Sequence, residues 1–421
     1  MKKNIHRVNI LIVIKKKDNK RGNILILMNE VKEIHKAEYG TDPEIIVTSP
    51  GRFHLIGEHS WFFKDKTLSM AVDIPVYVAV SRRNDSNIHF YFKQLDDRKK
   101  SSVSSLKVKK EDKWANNLKA VVFGFIEYGY HLSGMDITVF SETLPSAGFG
   151  ITTAVKAALA LALRKLFDLK CNQLQVLMAI EYGNRVFLKI ANHKADNYAA
   201  LYSKKNNMIL TDYTKNCYEY IPFDFPDYKI LLVNAGVPRV SVWNEESLFE
   251  PENALLMGDL RELKDNIKHG GWQYIDNVTD INEELSIVSE DTKRKLYCIL
   301  REHKDVLAAV SAIEKGDFSK FARHVNNSHI SLRDYYDLSC PEIDWIIKRI
   351  VEIDPKIQFL TDPVSCGRIT GKGFGRCIYA FLRNSDVDKF KEKLTEYEHI
   401  FGFTTDCHEV SSADGAHVVE F

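Results

Sequence analysis

A chain of 421 residues with 45% apolar and 27% charged side chains has core enough for two or three domains and lacks the composition of a disordered protein. Lys and Arg number 58 against 57 Asp and Glu, a net charge of +1, so no strong field favours nucleic acid or an anionic membrane, and a small-molecule partner is expected instead. Seven cysteines (171, 217, 298, 340, 366, 377 and 407) are spread without Cys-x-x-Cys or zinc-like spacing, which argues against metal binding by cysteine and reads as reduced thiols in a cytosol. No apolar run reaches the roughly 18 residues of a membrane span. The first 27 residues hold the short apolar stretch Val8 to Ile14, interrupted by Asn9 and followed by three lysines, and read as a disordered or non-native extension rather than a signal peptide. Nothing in the pattern calls for an obligate protein partner.

In chain order, a short polar helix runs from Met28 to about Tyr39, ends at Gly40 and is followed by a strand over Glu44 to Thr48. Ser49 to His59 reads as a turn between two strand-like segments. Val72 to Ser81 and Ile88 to Phe92 alternate as strands, Trp114 to Tyr130 has helical periodicity, and Asp136 to Phe140 is a strand feeding a glycine-containing loop, Pro145 to Ala154. That loop opens an apolar helix to about Phe167; a second helix, from about Asn172 to Ile190, leads to Asn192 to Asn197. Met208 to Asp212 and Tyr218 to Ile221 form a meander, and Lys229 to Asn234 is a buried strand at the domain boundary, which divides the chain into 28–222 and 223–421. Helices over Asp291 to Lys315 and Phe318 to Leu332 follow, and Asp354 to Leu360 and Gly367 to Leu382 restore strand and turn character. Strand-rich and helix-rich stretches mix without regular alternation, which predicts an α+β fold.

The loop before Ala154 has a physical task available to it. Glycines let backbone N–H groups approach an anion, and the helix that follows aims its positive dipole end at it. Thr152 and Thr153 add hydroxyls that can cap free N–H groups or reach a phosphate-bound Mg²⁺. No Gly-Lys-Ser/Thr follows, so it is not a Walker A loop. Taken alone, a strand-to-helix turn with Gly and a Thr cap is more often plain structure. Gly367, Gly371, Gly373 and Gly375 make a second loop able to approach a ligand or the first loop.

Three stretches in this order resemble the signature motifs of the GHMP small-molecule kinases, and the flanking sequence resembles their galactokinase branch. Ser49-Pro-Gly-Arg-Phe-His-Leu-Ile-Gly-Glu-His59 is similar to the first motif, Pro145 to Ala154 to the second with Thr152-Thr153 in place of serines, and Thr370-Gly-Lys-Gly-Phe-Gly375 to the third. Similarity extends through Trp114 to Ala120, Asn327 to Tyr336, Ser339 to Glu342 and Asp414 to Ala416. The resemblance implies a two-domain fold, an N-terminal domain like that of ribosomal protein S5 and a C-terminal α/β sandwich, with ATP and a sugar in the cleft between them and the γ-phosphate passing to the sugar's C1 hydroxyl. It implies Arg52 and Asp196 as the catalytic pair, Arg⁺ stabilising charge on the moving phosphoryl group and Asp⁻ orienting or deprotonating the hydroxyl. Glu58, His59 and Trp61 are implied at the sugar. Trp114, Ser146, Ala147, Gly148, Phe149, Gly150, Ile151, Thr152, Thr153, Gly371 and Gly373 are implied at ATP, and Thr153 with Glu181 at Mg²⁺.

The chain departs from the pattern in four places. Trp61 replaces the aspartate that would bind sugar hydroxyls, offering one N–H and an aromatic face instead of a carboxylate. Asn244 to Phe249 stands where Ser-x-Tyr-Asn is expected. Phe149-Gly150 replaces Gly-Leu, moving the flexible residue by one. Asn184 occupies the position of the metal-holding glutamate, and Glu181, three residues earlier on the same predicted helix, is the candidate replacement. A kinase for a different sugar and a binding or regulatory protein with little turnover are therefore the alternatives; retention of both Arg52 and Asp196 favours an enzyme.

Overall fold

The structure, a computed structural model, describes residues 20–59, 65–141, 149–190, 194–238, 290–355, 361–371 and 377–419. Trp61, Ser146, Ala147, Gly148, Gly373, the 244–249 stretch and most of the strand expected over 354–360 lie outside them. The first half comprises α1 (Lys20–Tyr39), β1 (Ile45–Ile56), β2 (Lys66–Arg82), β3 (Asn87–Phe92), β4 (Asp97–Ser102), α2 (Ala115–Glu127), β5 (Met135–Ser141), α3 (Ile151–Leu166), α4 (Gln173–Tyr182), α5 (Lys194–Tyr202), β6 (Asn207–Asp212) and β7 (Cys217–Pro222). The second comprises β8 (Tyr228–Asn234), α6 (Glu290–Glu314), α7 (Phe318–Asp334), α8 (Pro341–Val351), β9 (Cys366–Ile369), β10 (Cys377–Arg383), α9 (Val387–Phe401), β11 (Asp406–Val410) and β12 (His417–Val419). No helix among the described residues is long and apolar enough to cross a membrane, and all seven cysteines are free.

An eight-stranded sheet runs β12-β1-β2-β5-β3-β4, with β6 also on β2 and β7 on β6; a four-stranded sheet runs β11-β8-β10-β9. All pairings are antiparallel except β3 with β5. The final strand therefore returns to the first sheet, pairing Ile46 with Val419. β2 is apolar on both faces because both are covered. Val76, Val78 and Val80 join the main core, where α3 packs on β2, while Tyr77 and Ala79 meet Val31 of α1. The second sheet alternates likewise: Tyr379 and Phe381 of β10 face the main core, and Ile378, Ala380 and Leu382 face α8 and α9.

Two expectations are corrected here. The first helix begins at Lys20 rather than Met28, since no breaker interrupts the apolar run Ile24 to Leu27. The Pro-Gly of the first motif makes no turn; β1 continues through it to Ile56. Pro50 lies opposite Pro75, so neither asks the other for an N–H, and the register slips between Pro50 and Gly51. Asp73, in the resulting bulge of β2, exchanges hydrogen bonds with Ser411 instead: its N–H donates to the Ser411 carbonyl (3.0 Å) and its Oδ1 accepts the Ser411 N–H (2.7 Å).

The two halves are joined at the end of β1. Phe53 packs on Tyr379 with ring centroids 4.9 Å apart, and the Tyr379 hydroxyl donates to the Leu55 carbonyl at 2.7 Å. Beside them Arg368 of β9 is fully buried. Its Nη1 and Nη2 donate to the two Glu58 oxygens at 2.8 Å each, Nη2 also to Glu302 Oε2 (3.0 Å), Nη1 also to the Ile369 carbonyl (2.8 Å), and Nε to Ser328 Oγ (2.6 Å). All five guanidinium N–H groups are thereby used. Glu302 of α6 additionally accepts the Gly57 N–H at 2.9 Å and the Ser328 hydroxyl. Burial raises the Glu58 pKa, but Arg368 and His59 outweigh it and bring it down to about 2, whereas burial dominates at Glu302 and pushes its carboxyl up.

Arg368→Met should leave two buried carboxylates without their counter-charge and lower the unfolding free energy at pH 7 by about 3–5 kcal/mol. Both carboxyls in the variant then have folded pKa values above their unfolded ones, a contribution that is favourable at low pH and lost as pH rises. Urea unfolding of wild type and variant at pH 7 and pH 5 should show the gap narrowing at pH 5; a pH-independent gap would contradict the charge account.

Candidate active site

The bulge between Pro50 and Gly51 re-aims the strand that follows, and period-2 alternation then sends Phe53 and Leu55 into the core while Arg52 and His54 share the other face. Both reach Asp196 in the first turn of α5. Arg52 Nη2 lies 2.9 Å from Asp196 Oδ1 and His54 Nε2 lies 2.5 Å from the same oxygen. Among the described residues no donor is placed on Oδ2, which leaves that oxygen to meet a substrate hydroxyl. Burial alone would raise the Asp196 pKa, but the charges and hydrogen bonds of Arg52 and His54 hold it well below the usual carboxylate range. Burial and the neighbouring Arg52 charge lower the His54 pKa. A neutral His54 donates from Nε2 to Asp196, and Nδ1 then accepts the Ser69 hydroxyl at 2.7 Å.

The other motifs close on the same point. The Arg52 N–H donates to the Phe149 carbonyl (2.8 Å) at the end of the glycine loop. Gly150 caps α3 with φ of 76°, and a Cβ there would stand 2.6 Å from Arg52 Cγ. The Arg52 side chain crosses the face of Gly150, which explains why the flexible residue sits here in this chain. Phe149 and Ile151 are core residues; their contribution to a nucleotide would come from backbone. Thr152 and Thr153 stand in the first turn of α3, whose N-terminal dipole faces the loop. From the third motif, Thr370 accepts the His54 N–H (3.2 Å) and donates to its carbonyl (3.0 Å), with Gly371 next to it in a left-handed conformation at φ of 90°.

Other expected residues are placed differently. Glu58 is locked on Arg368, and His59 packs its ring against Tyr336 at 5.1 Å. Trp114 spends its indole N–H on Asp97 (2.8 Å) and meets Phe90 and Phe92 edge-on, contacts not shared with the Asp196 cluster. Thr153 lies in the first turn of α3 and Glu181 near the C-terminal end of α4, and no cluster of three or more His, Cys, Asp or Glu side chains able to hold a metal occurs among the described residues. Helix α4 runs into a π-helical turn over Gly183–Phe187, in which Asn184 lies. The charge of Glu181 bears on Tyr198 and Tyr202, and Asn184 instead holds the buried Lys156, whose Nζ donates to its Oδ1 at 2.7 Å. His54 and Lys156 were not among the expected residues; the period of two from Arg52 would have found the first.

Three family models match the chain: the galactokinase galactose-binding signature over residues 33–82, the GHMP kinases N terminal domain over 116–204 and the GHMP kinases C terminal domain over 309–399. The chain belongs to the GHMP kinases, phosphotransferases that use ATP. Within them its branch is that of the galactokinases. A Treponema pallidum protein that carries the provisional name galactokinase is 38% identical over 397 residues, 94% of this chain and 98% of that one. The galactokinase of Clostridium acetobutylicum is 28% identical over 93% of this chain and 98% of its own. In fold, the crystal structure of Lactococcus lactis galactokinase complexed with galactose superposes with a TM-score of 0.78 at 20% identity, covering 93% of this chain and 99% of that one. Methanococcus jannaschii mevalonate kinase gives 0.56 at 13% identity over 88% and 98%.

Gly150→Ala should cut phosphotransfer at least about tenfold by displacing Arg52 from Asp196. Gly402→Ala is the control, because Gly402 has a similar φ of 74° and open space around it. Both should cost about 1–2 kcal/mol of stability from left-handed strain, and only the first should lose turnover. Equal turnover in the two variants would show that Arg52 tolerates the methyl group.

Proposed function

We propose that this chain transfers the γ-phosphoryl group of ATP to the C1 hydroxyl of galactose or a closely related sugar, in a cleft between residues 28–222 and 223–421. The observation that carries the reading is the state of Arg52. It is 7% exposed, its Nη2 holds Asp196, and its buried Nε and Nη1 have no hydrogen-bond partner among the described residues. A buried guanidinium with idle donors beside an ionised carboxylate fits a phosphoryl oxygen on one side and a hydroxyl on the other. The C1 oxygen bonds to the γ-phosphorus as the bond to the bridging oxygen of ADP breaks, and the hydroxyl proton leaves along its hydrogen bond to Asp196 Oδ2. Because Asp196 is held so strongly ionised, its main part is to orient the hydroxyl. Gly150, Thr152 and Thr153 at the start of α3 receive the phosphates, and Mg²⁺ arrives as part of the nucleotide.

Trp61 supports a second reading, in which the preferred sugar is a deoxy or N-acetylated relative of galactose. An indole face packs on apolar C–H groups but cannot replace a carboxylate at a hydroxyl.

ADP release measured with ATP, Mg²⁺ and a panel of galactose, 2-deoxygalactose, N-acetylgalactosamine and glucose should show turnover with at least one sugar; silence across the panel would sink the kinase reading. Asp196→Asn should lower that turnover by at least about a hundredfold with nucleotide binding retained. Trp61→Asp should move the ranking toward galactose by roughly tenfold or more, and an unchanged ranking would place Trp61 away from the sugar.

A further inference from the structure

Lys156 is a buried cation that phosphoryl transfer as described above does not use. It stands on α3 one turn past Thr152 and Thr153, is 4% exposed, and gives its Nζ to the neutral amide of Asn184 at 2.7 Å. Among the described residues no carboxylate lies within 4.0 Å of it; Asp196 acts on it through space alone. Burial lowers its pKa to about 8 against the pull of Asp196, so it remains largely protonated at neutral pH. An ammonium withdrawn from water without a counter-ion in contact is costly, and such a charge marks a place where an anion is to be met.

Its holder is fixed as well. Asn184 is buried in the π-helical turn that ends α4, and the preceding Gly183 lies so close to α2 that a Cβ would come 2.1 Å from the Ala120 carbonyl oxygen. The close approach fixes the backbone of the turn that carries the amide. The family pattern places a carboxylate at this position to recruit a divalent ion. Here the carboxylate is gone and a positive charge stands against its replacement, so the place that would attract a cation is itself cationic. Asp196, whose charge acts on Lys156, is also held by Arg52, and Arg52 with its idle donors crosses Gly150 at the start of the same helix α3.

We propose that the Lys156 ammonium, held by Asn184, is the protein's own cation for the terminal phosphate of the nucleotide, in place of a divalent ion held by a carboxylate. The assignment rests on the reading of the cleft as an ATP site. Calorimetric titration of the full chain with ATP in excess EDTA, compared with Mg-ATP, tests it. Wild type should bind metal-free ATP within about tenfold of Mg-ATP, Lys156→Arg should retain that binding, and Lys156→Met should weaken it by about ten- to a hundredfold, the range of a lost charge-assisted hydrogen bond. Asn184→Glu, which pairs the ammonium internally, should weaken metal-free ATP similarly, and it carries the test if Lys156→Met fails to melt cooperatively. Metal-free binding unchanged in Lys156→Met, or absent from a wild type that phosphorylates its sugar with Mg-ATP, would overturn the assignment and leave the kinase reading standing. A wild type that binds no nucleotide under either condition would overturn both.

Discussion

A guanidinium cannot be taken wholly out of water unless each of its N–H groups finds an acceptor and its charge finds a counter-charge. Arg368 meets that condition with groups drawn from three stretches outside its own strand, Glu58 past the end of β1, Glu302 on α6 and Ser328 on α7, and with the carbonyl of its neighbour Ile369. No rearrangement of one element can preserve the set, so the first sheet, the two long helices and the edge of the second sheet are held in one relative position. That position brings Thr370, two residues beyond Arg368, onto the backbone of His54, and His54 onto Asp196. The geometry at the reacting centre is thus inherited from an ion cluster that touches none of the reacting atoms.

Asp196 shows how the site balances opposing demands on charge. A carboxylate buried to this degree would ordinarily take up a proton; Arg52 and His54 prevent it, converging on a single oxygen. Arg52 keeps donors in reserve, while His54 is tied on its far side to Ser69 and so cannot flip. The same carboxylate also helps Lys156 stay protonated from a distance. Each group is kept in its ionisation state by neighbours from other stretches of the chain.

The three motifs were legible in the sequence because each is a short pattern whose residues are close along the chain, and the first of them holds Arg52, which the structure brings onto Asp196. What failed was inference across elements. Pro50-Gly51 carries the ordinary signal of a turn, and only the facing Pro75, which makes a bulge the better outcome, reveals a strand. The pairing of Asn184 with Lys156 was out of reach for the same reason, since it joins α3 to the π-helical turn after α4. The lysine in Ala154-Val-Lys-Ala-Ala158 reads as the polar edge of an amphipathic helix, and its burial follows from α4 and α5 packing beside it. Helix α8 was legible and passed over: Pro341 stands in its first turn, and Ile343, Ile346, Ile347 and Ile350 have helical spacing.

Strand β12 gives the first sheet a partner for Ile46, Val47 and Thr48 that lies at the far end of the chain. While the polypeptide emerges from the ribosome, β1 therefore has one ladder of N–H and C=O groups open until residue 419 has been made. A vectorial order, with the first half finished before the second begins, is closed to this topology. The waiting stretch is short but mostly apolar, and an open apolar edge is the kind of surface that pairs with another nascent chain. Synthesis of residues 417–419 thus acts as the closing clasp on a sheet begun nearly four hundred residues earlier, a span read from the pairing of Ile46 with Val419.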